Sequence, residues 1–251
     1  MVAQTISENQ HLVEIRQNKE VWRSKAVLRR AYAVLYRLIR AQLSPVEGPV
    51  VELGSGIGAI KEFISNCITT DIFPNLWLDR IENAYRLSFA DASVSNLLLF
   101  DVFHHLQWPG SALNEFARVI RRQGRVILME PGFGILGKFV YSNFHHEPLG
   151  LSDAIVWYRP ASHEHVATPY YAAQANAWRL FRQGEAVEKL RDWKISLVKP
   201  LAAISYVASG GFSRPSLYPS FLFPMLRGFD QMADLLPSLF ATRLLVVLER
   251  V

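Results

Sequence analysis

Cysteine occurs once, at Cys67, so an internal disulfide is excluded and a reducing compartment is the simplest setting. No run approaches about 20 consecutive uncharged apolar residues, which excludes an apolar membrane-spanning helix. The N-terminus lacks a basic-then-apolar signal pattern, and a cytoplasmic location is the expectation. Internal repeats and low-complexity segments are absent. Cysteine or carboxylate clusters at metal-ligand spacing are missing too, so no metal is expected. The excess of basic residues is small, 27 against 22 acids, a net charge of +5. That balance is compatible with an acidic partner or an anionic membrane surface and requires neither. Half the residues are hydrophobic and 20% are charged, so 251 residues can bury a sizeable core, as one α/β domain with insertions or a small cap.

The chain is organised around Val50-Val51-Glu52-Leu53-Gly54-Ser55-Gly56-Ile57-Gly58. The apolar run ending at Leu53 predicts a buried parallel strand. Three glycines at alternate positions predict a tight turn that brings backbone close to a ligand, and the spacing from Ile57 to Asn66 predicts a helix. Gly54, Gly56 and Ala59 also fit the looser dinucleotide fingerprint of a dehydrogenase. Glu52 weighs against that: its carboxylate would repel a pyrophosphate and attract an ammonium. With Glu52, the stretch reads E-x-G-x-G-x-G, and it resembles motif I of the class I S-adenosylmethionine (SAM) methyltransferases.

That resemblance covers about residues 46–135. It implies a Rossmann-like α/β fold: a doubly wound, mainly parallel sheet of seven strands, an antiparallel last strand and an inserted cap. Cys67 to Asp71 reads as the second strand, and Asp71 at its tip can accept both hydroxyls of a ribose. Ile72 would lie against adenine. Only Phe73 to Leu78 separate Asp71 from the next extended run, too few for the helix usual there, so that side of the site should be more open. Asn83-Ala84-x-x-Leu87-x-Phe89 resembles the family segment D-A-x-x-L-P-F. The Asn83 amide oxygen can accept from the adenine amino group and the Ala84 N–H can face the ring. Asn96 to Asp101 is the fourth strand, and Asp101-Val102-Phe103 after it is implied to pass beneath the methionine part of SAM. The cofactor set implied is thus Glu52, Gly54, Ser55, Gly56, Gly58, Asp71, Ile72, Asn83, Ala84, Asp101, Val102 and Phe103. Asp/Asn-Pro-Pro-Tyr/Phe is absent after the fourth strand, as is a Pro-Cys nucleophile, so methylation of nucleic-acid bases is not expected.

Six of the seven histidines fall between 104 and 165. Transfer to a protonated acceptor needs a base, and histidine titrates near neutrality. His105 is the first candidate and His104 the second, with His145, His146, Glu147 and Glu130 behind them. The adjacent pairs His104-His105 and His145-His146 are expected to diverge, whereas His163-x-His165 could converge on a strand.

Residues 1–20 are expected to be loosely ordered and Val21–Leu43 helical, with Leu28, Ala31, Tyr32, Leu35 and Ile39 on one face and Arg23, Arg30 and Arg37 on another. Residues 1–45 form an N-terminal helical segment and 46–251 the main domain, with substrate-cap insertions at 132–192 and 209–238. Gln174–Leu190 reads as an interrupted helix. The apolar stretch Leu217–Leu236 is open to three readings: packing, a lid, or peripheral membrane contact. The expected activity is methyl transfer to a small or lipid-linked acceptor, at oxygen, by a monomer or homodimer. A non-catalytic module that binds SAM or a partner on the same fold is the rival.

Overall fold

The structure, a computed structural model, describes residues 8–161, 171–185 and 187–251; His163, Glu164, His165 and Tyr170 lie outside these. Seven strands form one sheet: β1 (Val50–Leu53), β2 (Ile68–Asp71), β3 (Arg80–Ile81), β4 (Val94–Phe100), β5 (Ile120–Pro131), β6 (Trp193–Leu201) and β7 (Arg243–Arg250). Their order is β3-β2-β1-β4-β5-β7-β6. Neighbours are parallel except β7, which runs antiparallel to both β5 and β6. The expected α/β class and strand count hold.

Continuous apolar runs build the centre because both faces of the sheet are covered. Leu97 and Leu99 of β4, Val126 and Leu128 of β5, and Leu244, Val246 and Leu248 of β7 enter one core. Leu98 and Phe100, Ile127 and Met129, and Leu245 and Val247 enter the other. The two-residue period of a strand divides them. Helix α3 (Pro109–Val119) closes the first core through Leu113 and Phe116, and helix α2 (Ala26–Arg40) closes the second through Leu28, Leu35 and Ile39.

Two expectations fail near the N-terminus. Residues 8–20 are helical: α1 spans Glu8–Ser24, and Lys25 separates it from α2. Burial of Ile15 and Trp22 anchors α1, as do bonds from Lys19 Nζ to the Ile57 carbonyl (3.0 Å) and from Trp22 Nε1 to Glu62 Oε1 (2.8 Å). The helix expected over Ile57–Asn66 is only a 3-10 turn, Ala59–Glu62. Gly56 and Gly58 hold left-handed conformations, φ +52° and +67°, which interrupt a right-handed helix at its start. Helix α2 takes the space beside the turn, where Tyr36 stacks on Phe63 at 5.0 Å.

The cap after β5 begins with α4 (Ile135–Phe144). In place of the Gln174–Leu190 helix stand a π-helical turn, Trp178–Arg182, and a 3-10 turn, Val187–Lys189. Before β7 come α5 (Ile204–Ala208), α6 (Phe223–Ala233) and α7 (Pro237–Phe240).

Helix α4 lies against the tip of the sheet through Gly137, where an added Cβ would stand 2.0 Å from the Gly132 carbonyl oxygen and 2.4 Å from that of Ala241. Nothing lies within 4 Å of a Cβ added to Gly228 in α6. Gly137→Ala should therefore cost ~1–3 kcal/mol through overpacking, whereas Gly228→Ala should gain ~0.5–1 kcal/mol from helix propensity. Urea denaturation midpoints test the pair; equal effects of one sign would contradict it.

Candidate functional site

At the end of β1 the chain turns through Gly54, Gly56 and Gly58, all left-handed. A Cβ on Gly54 would lie 2.4 Å from Val102 Cγ2, so the turn packs directly on the segment after β4. Ser55 locks it to β2: its N–H donates to the Thr70 carbonyl (2.8 Å) and its Oγ accepts from the Thr70 N–H (3.1 Å). Asp71, at the tip of β2, accepts from the Gly56 N–H (3.1 Å) and the Ile72 N–H (2.7 Å). A cavity of about 130 Å³ opens above this turn, lined by Glu52, Gly54, Ser55, Gly56, Asp101 and residues of α1 and α2, among them Ile15 and Tyr36.

Glu52 is 1% exposed. Its Oε1 accepts weakly from the Tyr36 hydroxyl at 3.4 Å, and its buried Oε2 has no hydrogen-bond partner among the described residues. Burial pushes this carboxyl up to about 7, opposed by Ser55 and Tyr36 and assisted by the charge of Asp71. A buried carboxylate with an unmet oxygen is a receptor for a cation. The ammonium of an amino acid fits that need, and so the donor set fits SAM.

Helix α1 crosses the strand tips. His11 Nε2 lies 4.0 Å from Asp71 Oδ1, and its ring meets Phe73 at 5.0 Å. A second hollow, about 340 Å³, is bounded by Leu12 and Arg16 of α1 and the loop Pro74–Trp77. No helix intervenes between β2 and β3, as expected.

The remaining cofactor candidates divide. Asp101 borders the cavity. Its carboxylate is engaged, bidentate, by Arg243 at the start of β7, one contact being Nη2 to Oδ2 at 2.9 Å. Arg243 is 1% exposed and lies over the Tyr206 ring at 4.2 Å. The sequence reading missed it; the only signal was one arginine beside an otherwise apolar strand. Val102 backs the turn. The Phe103 side chain is fully buried in the core against Phe181, 5.4 Å away, because the 3-10 turn Phe103–His105 directs it inward, so only its backbone could face a cofactor. Gly58 also serves a close crossing, since a Cβ there would sit 2.8 Å from the Trp77 carbonyl oxygen. Asn83 Oδ1 accepts the Tyr85 N–H (2.9 Å), and neither Asn83 nor Ala84 borders the cavity. Ile72 is half exposed.

The histidines gather on the other side of the same segment. Glu130, at the end of β5 and fully buried, accepts from the N–H groups of Val102 (3.0 Å), Phe103 (2.7 Å) and His104 (3.3 Å), and stands 2.7 Å from His104 Nδ1. Burial alone would lower the His104 pKa, but Glu130, by charge and hydrogen bond, and Glu147 outweigh it and hold it up at about 10. His104 is thus held protonated and is corrected as a candidate base. Burial, then the neighbouring His104, pulls His105 down to about 4, with Glu147 opposing. His105 Nδ1 lies 2.9 Å from the Tyr171 carbonyl oxygen. A carbonyl only accepts, so Nδ1 carries the hydrogen and Nε2 the electron pair. Glu147 faces both rings, 3.5 Å from His104 Nε2 and 3.7 Å from His105 Nε2. Gln174 Nε2 donates to it at 3.0 Å, and His145 Nδ1 lies 3.8 Å away. His146 stacks on His145 at 5.1 Å.

The expected divergence of His104 and His105 is overturned. Their ring centroids are 4.1 Å apart, because Glu130 fixes one ring and the Tyr171 carbonyl the other. The dinucleotide alternative loses its physical basis: the single 3-10 turn after Gly58 offers no helix N-terminus, and a carboxylate lines the cavity.

The state of Glu52 is open to measurement. Its folded pKa of about 7 exceeds the usual 4.5, so the stability it confers is present below the unfolded value and lost as pH rises through the folded one. Over about pH 5 to 8 the native chain should lose on the order of 3 kcal/mol more than Glu52→Gln. Parallel pH–stability curves from urea titration would refute the assignment.

Residues 51–128 match the family described as a methyltransferase domain. No curated protein sequence matches the chain. Among solved structures, a SAM-dependent methyltransferase from Thermotoga maritima is 17% identical, with 96% of this chain and 99% of that one covered and a TM-score of 0.57. Geranyl diphosphate C-methyltransferase from Streptomyces coelicolor is 9% identical, covering 88% of this chain and 81% of its own, with a TM-score of 0.52. A geranyl diphosphate methyltransferase in complex with SAM is 12% identical, at 87% and 85% coverage and a TM-score of 0.51. At such identities these likenesses establish the fold alone, that of the SAM-dependent methyltransferases, and the family match, to a methyltransferase domain, is confined to residues 51–128.

Proposed function

We propose that this chain transfers the methyl group of SAM to a hydroxyl oxygen of a lipid-linked or similarly amphipathic acceptor. One observation carries the reading. The segment Asp101–His105 borders the glycine-turn cavity at one end and the histidine–glutamate cluster at the other, so donor and acceptor would meet across it. When bound, SAM supplies an electrophilic methyl carbon on a sulfonium. Glu52 would take its ammonium, Asp71 its ribose, and the backbone of Gly54–Gly56 would allow close approach. An alcohol is a poor nucleophile until its proton is taken or displaced. His105 is the residue assigned to receive the acceptor, because its Nε2 carries the electron pair and its ring is 30% exposed.

The acceptor's apolar body is supported by the surface beside the cluster. Ile135, Phe139 and Phe144 of α4 are exposed, and the chain runs from Phe144 directly into His145-His146-Glu147. Phe221, Met225, Phe229 and Met232 on and before α6 are exposed too, at 75%, 58%, 60% and 68%. So are Leu235, Leu236 and Leu239 around α7, which packs on α4. Monomers rarely leave so many large apolar side chains uncovered together. Lys138 lies on the same helix, and Arg214 covers the Phe144 ring at 5.3 Å, adding positive charge suited to anionic lipid. No helix among the described residues is long and apolar enough to cross a membrane, so the contact would be peripheral. One structural neighbour methylates geranyl diphosphate, an acceptor with an apolar body and a charged head.

Calorimetry with SAM should give binding that Asp71→Ala weakens by ~1–3 kcal/mol. His105→Ala should leave that affinity near wild type and cut turnover ~10²-fold. SAM binding without turnover on any lipid or extract fraction would favour a non-catalytic module. In flotation with anionic phosphatidylglycerol vesicles the chain should rise with the lipid, and Phe221→Ser/Phe229→Ser should stay in the dense fraction; equal flotation of both would remove the membrane contact.

A further inference from the structure

We propose that His104, His105 and Glu147 form a binding site for one divalent transition-metal ion, with zinc as the best match. The ligand set is two imidazoles and a carboxylate, a common open zinc set that leaves a fourth position for water or an acceptor oxygen. Their ligand atoms all lie within 4.8 Å of one another.

The distances suit an ion held between the side chains. His104 Nε2 and Glu147 Oε2 are 3.5 Å apart, and His105 Nε2 and Glu147 Oε1 are 3.7 Å apart. Charge-assisted hydrogen bonds close to about 2.7–2.9 Å. Donor atoms held about 2.0–2.2 Å from a tetrahedral ion stand roughly 3.3–3.6 Å from each other. Two of the three separations are thus already close to those of a zinc site, and the third is bounded at 4.8 Å.

The surroundings argue the same way. Metal-bound histidines give their other ring N–H to a carboxylate or a backbone carbonyl, which fixes the electron pair on the nitrogen facing the metal. Here His104 Nδ1 is 2.7 Å from Glu130 Oε2, and His105 Nδ1 is 2.9 Å from the Tyr171 carbonyl oxygen. Both Nε2 atoms are thereby aimed at Glu147, and on binding the ion would displace the Nε2 proton that His104 carries without it. The carboxylate has its own support, the Gln174 Nε2 donor at 3.0 Å. Glu130 and Glu147 together supply two negative charges, which an ion of charge +2 balances in a site whose His104 and Glu130 are almost fully buried. Softer thiolate-seeking ions find no sulfur here, while imidazole nitrogen disfavours magnesium and calcium.

Ion binding does not depend on the methyl-transfer reading. Where that reading holds, an acceptor hydroxyl entering the fourth position would be oriented and acidified by the ion. His105 would then act by holding the metal.

The test uses the full chain, stripped with dipicolinate and titrated with zinc chloride in the calorimeter without SAM. One ion per chain is expected, with affinity reduced ~10-fold or more in His105→Ala and in Glu147→Gln, and by ~10–100-fold in Glu130→Gln. His146→Ala, outside the ligand set, should match wild type. Cobalt(II) in the wild-type chain should give the intense visible bands of a tetrahedral nitrogen–oxygen site, and Glu147→Gln should lose them. This readout needs no variant of His104 or Glu130, which are almost fully buried, and the far-ultraviolet circular dichroism and urea midpoint of each variant report that it is folded. Absence of zinc binding in the wild-type chain, or affinity unchanged in His105→Ala and Glu147→Gln, overturns the site. Zinc binding as described with no methyl transfer to any acceptor supports the site and overturns the transfer reading instead.

Discussion

Everything near the site hangs on the carboxylate of Glu130. It sits at the tip of strand β5, beside the central strand, with no exposed surface, where an uncompensated charge would cost several kcal/mol. Three successive backbone N–H groups and one imidazole nitrogen converge on it. The compensation shapes the chain: residues 102–104 must curl around the carboxylate, which makes the tight turn that buries Phe103 and turns both histidines to one side. Through Val102 the same turn backs Gly54, so the geometry of the glycine loop and that of the histidine cluster share one anchor.

Three carboxylates at adjacent strand tips are treated in three ways. Glu130 is satisfied internally by donors of the following segment. Asp101 is neutralised by Arg243, brought from β7 across the antiparallel pairing of Pro131 with Arg243. Glu52 alone keeps an oxygen without a partner among the described residues, and its neutral form is favoured until a cation arrives. Charges held by the protein itself make a rigid floor, and the one left wanting marks where charge from outside is accepted. Under the proposed reading, this contrast marks the cofactor end of the site.

The strands were legible because burial on both faces writes itself as apolar runs: Leu97 to Phe100 and Val126 to Met129 admit little else. The glycine turn was legible because alternate left-handed residues need glycine. Other features depended on partners far away in sequence. A helix was expected from Ile57 onward, and the left-handed Gly58 and the intrusion of α2 forbade it. The polar stretch 8–20 looked unanchored, yet only Ile15, Lys19 and Trp22 were needed to dock it. The convergence of His104 and His105 could not be read from their adjacency, since it is imposed by Glu130 and by the Tyr171 carbonyl. Arg243 was hidden for the same reason, its meaning residing in Asp101, 142 residues earlier.

The arrangement also separates two approaches to the site. Helix α1 covers the cavity side of the Asp101–His105 segment, with Ile15 at the glycine turn and His11 beside Asp71. A cavity of about 130 Å³ is small against the roughly 300–1,000 Å³ of sites for ligands of SAM's size. The cluster side is bounded instead by the end of α4, whose exposed phenylalanines continue into His145 and Glu147. Under the proposed reading the donor lies beneath helix α1, and the acceptor arrives along an apolar surface. Displacement at a sulfonium methyl requires nucleophile and departing sulfur on opposite sides of the carbon. Two entrances on opposite sides of one rigid segment meet that demand, because the segment that separates them is the one Glu130 holds still.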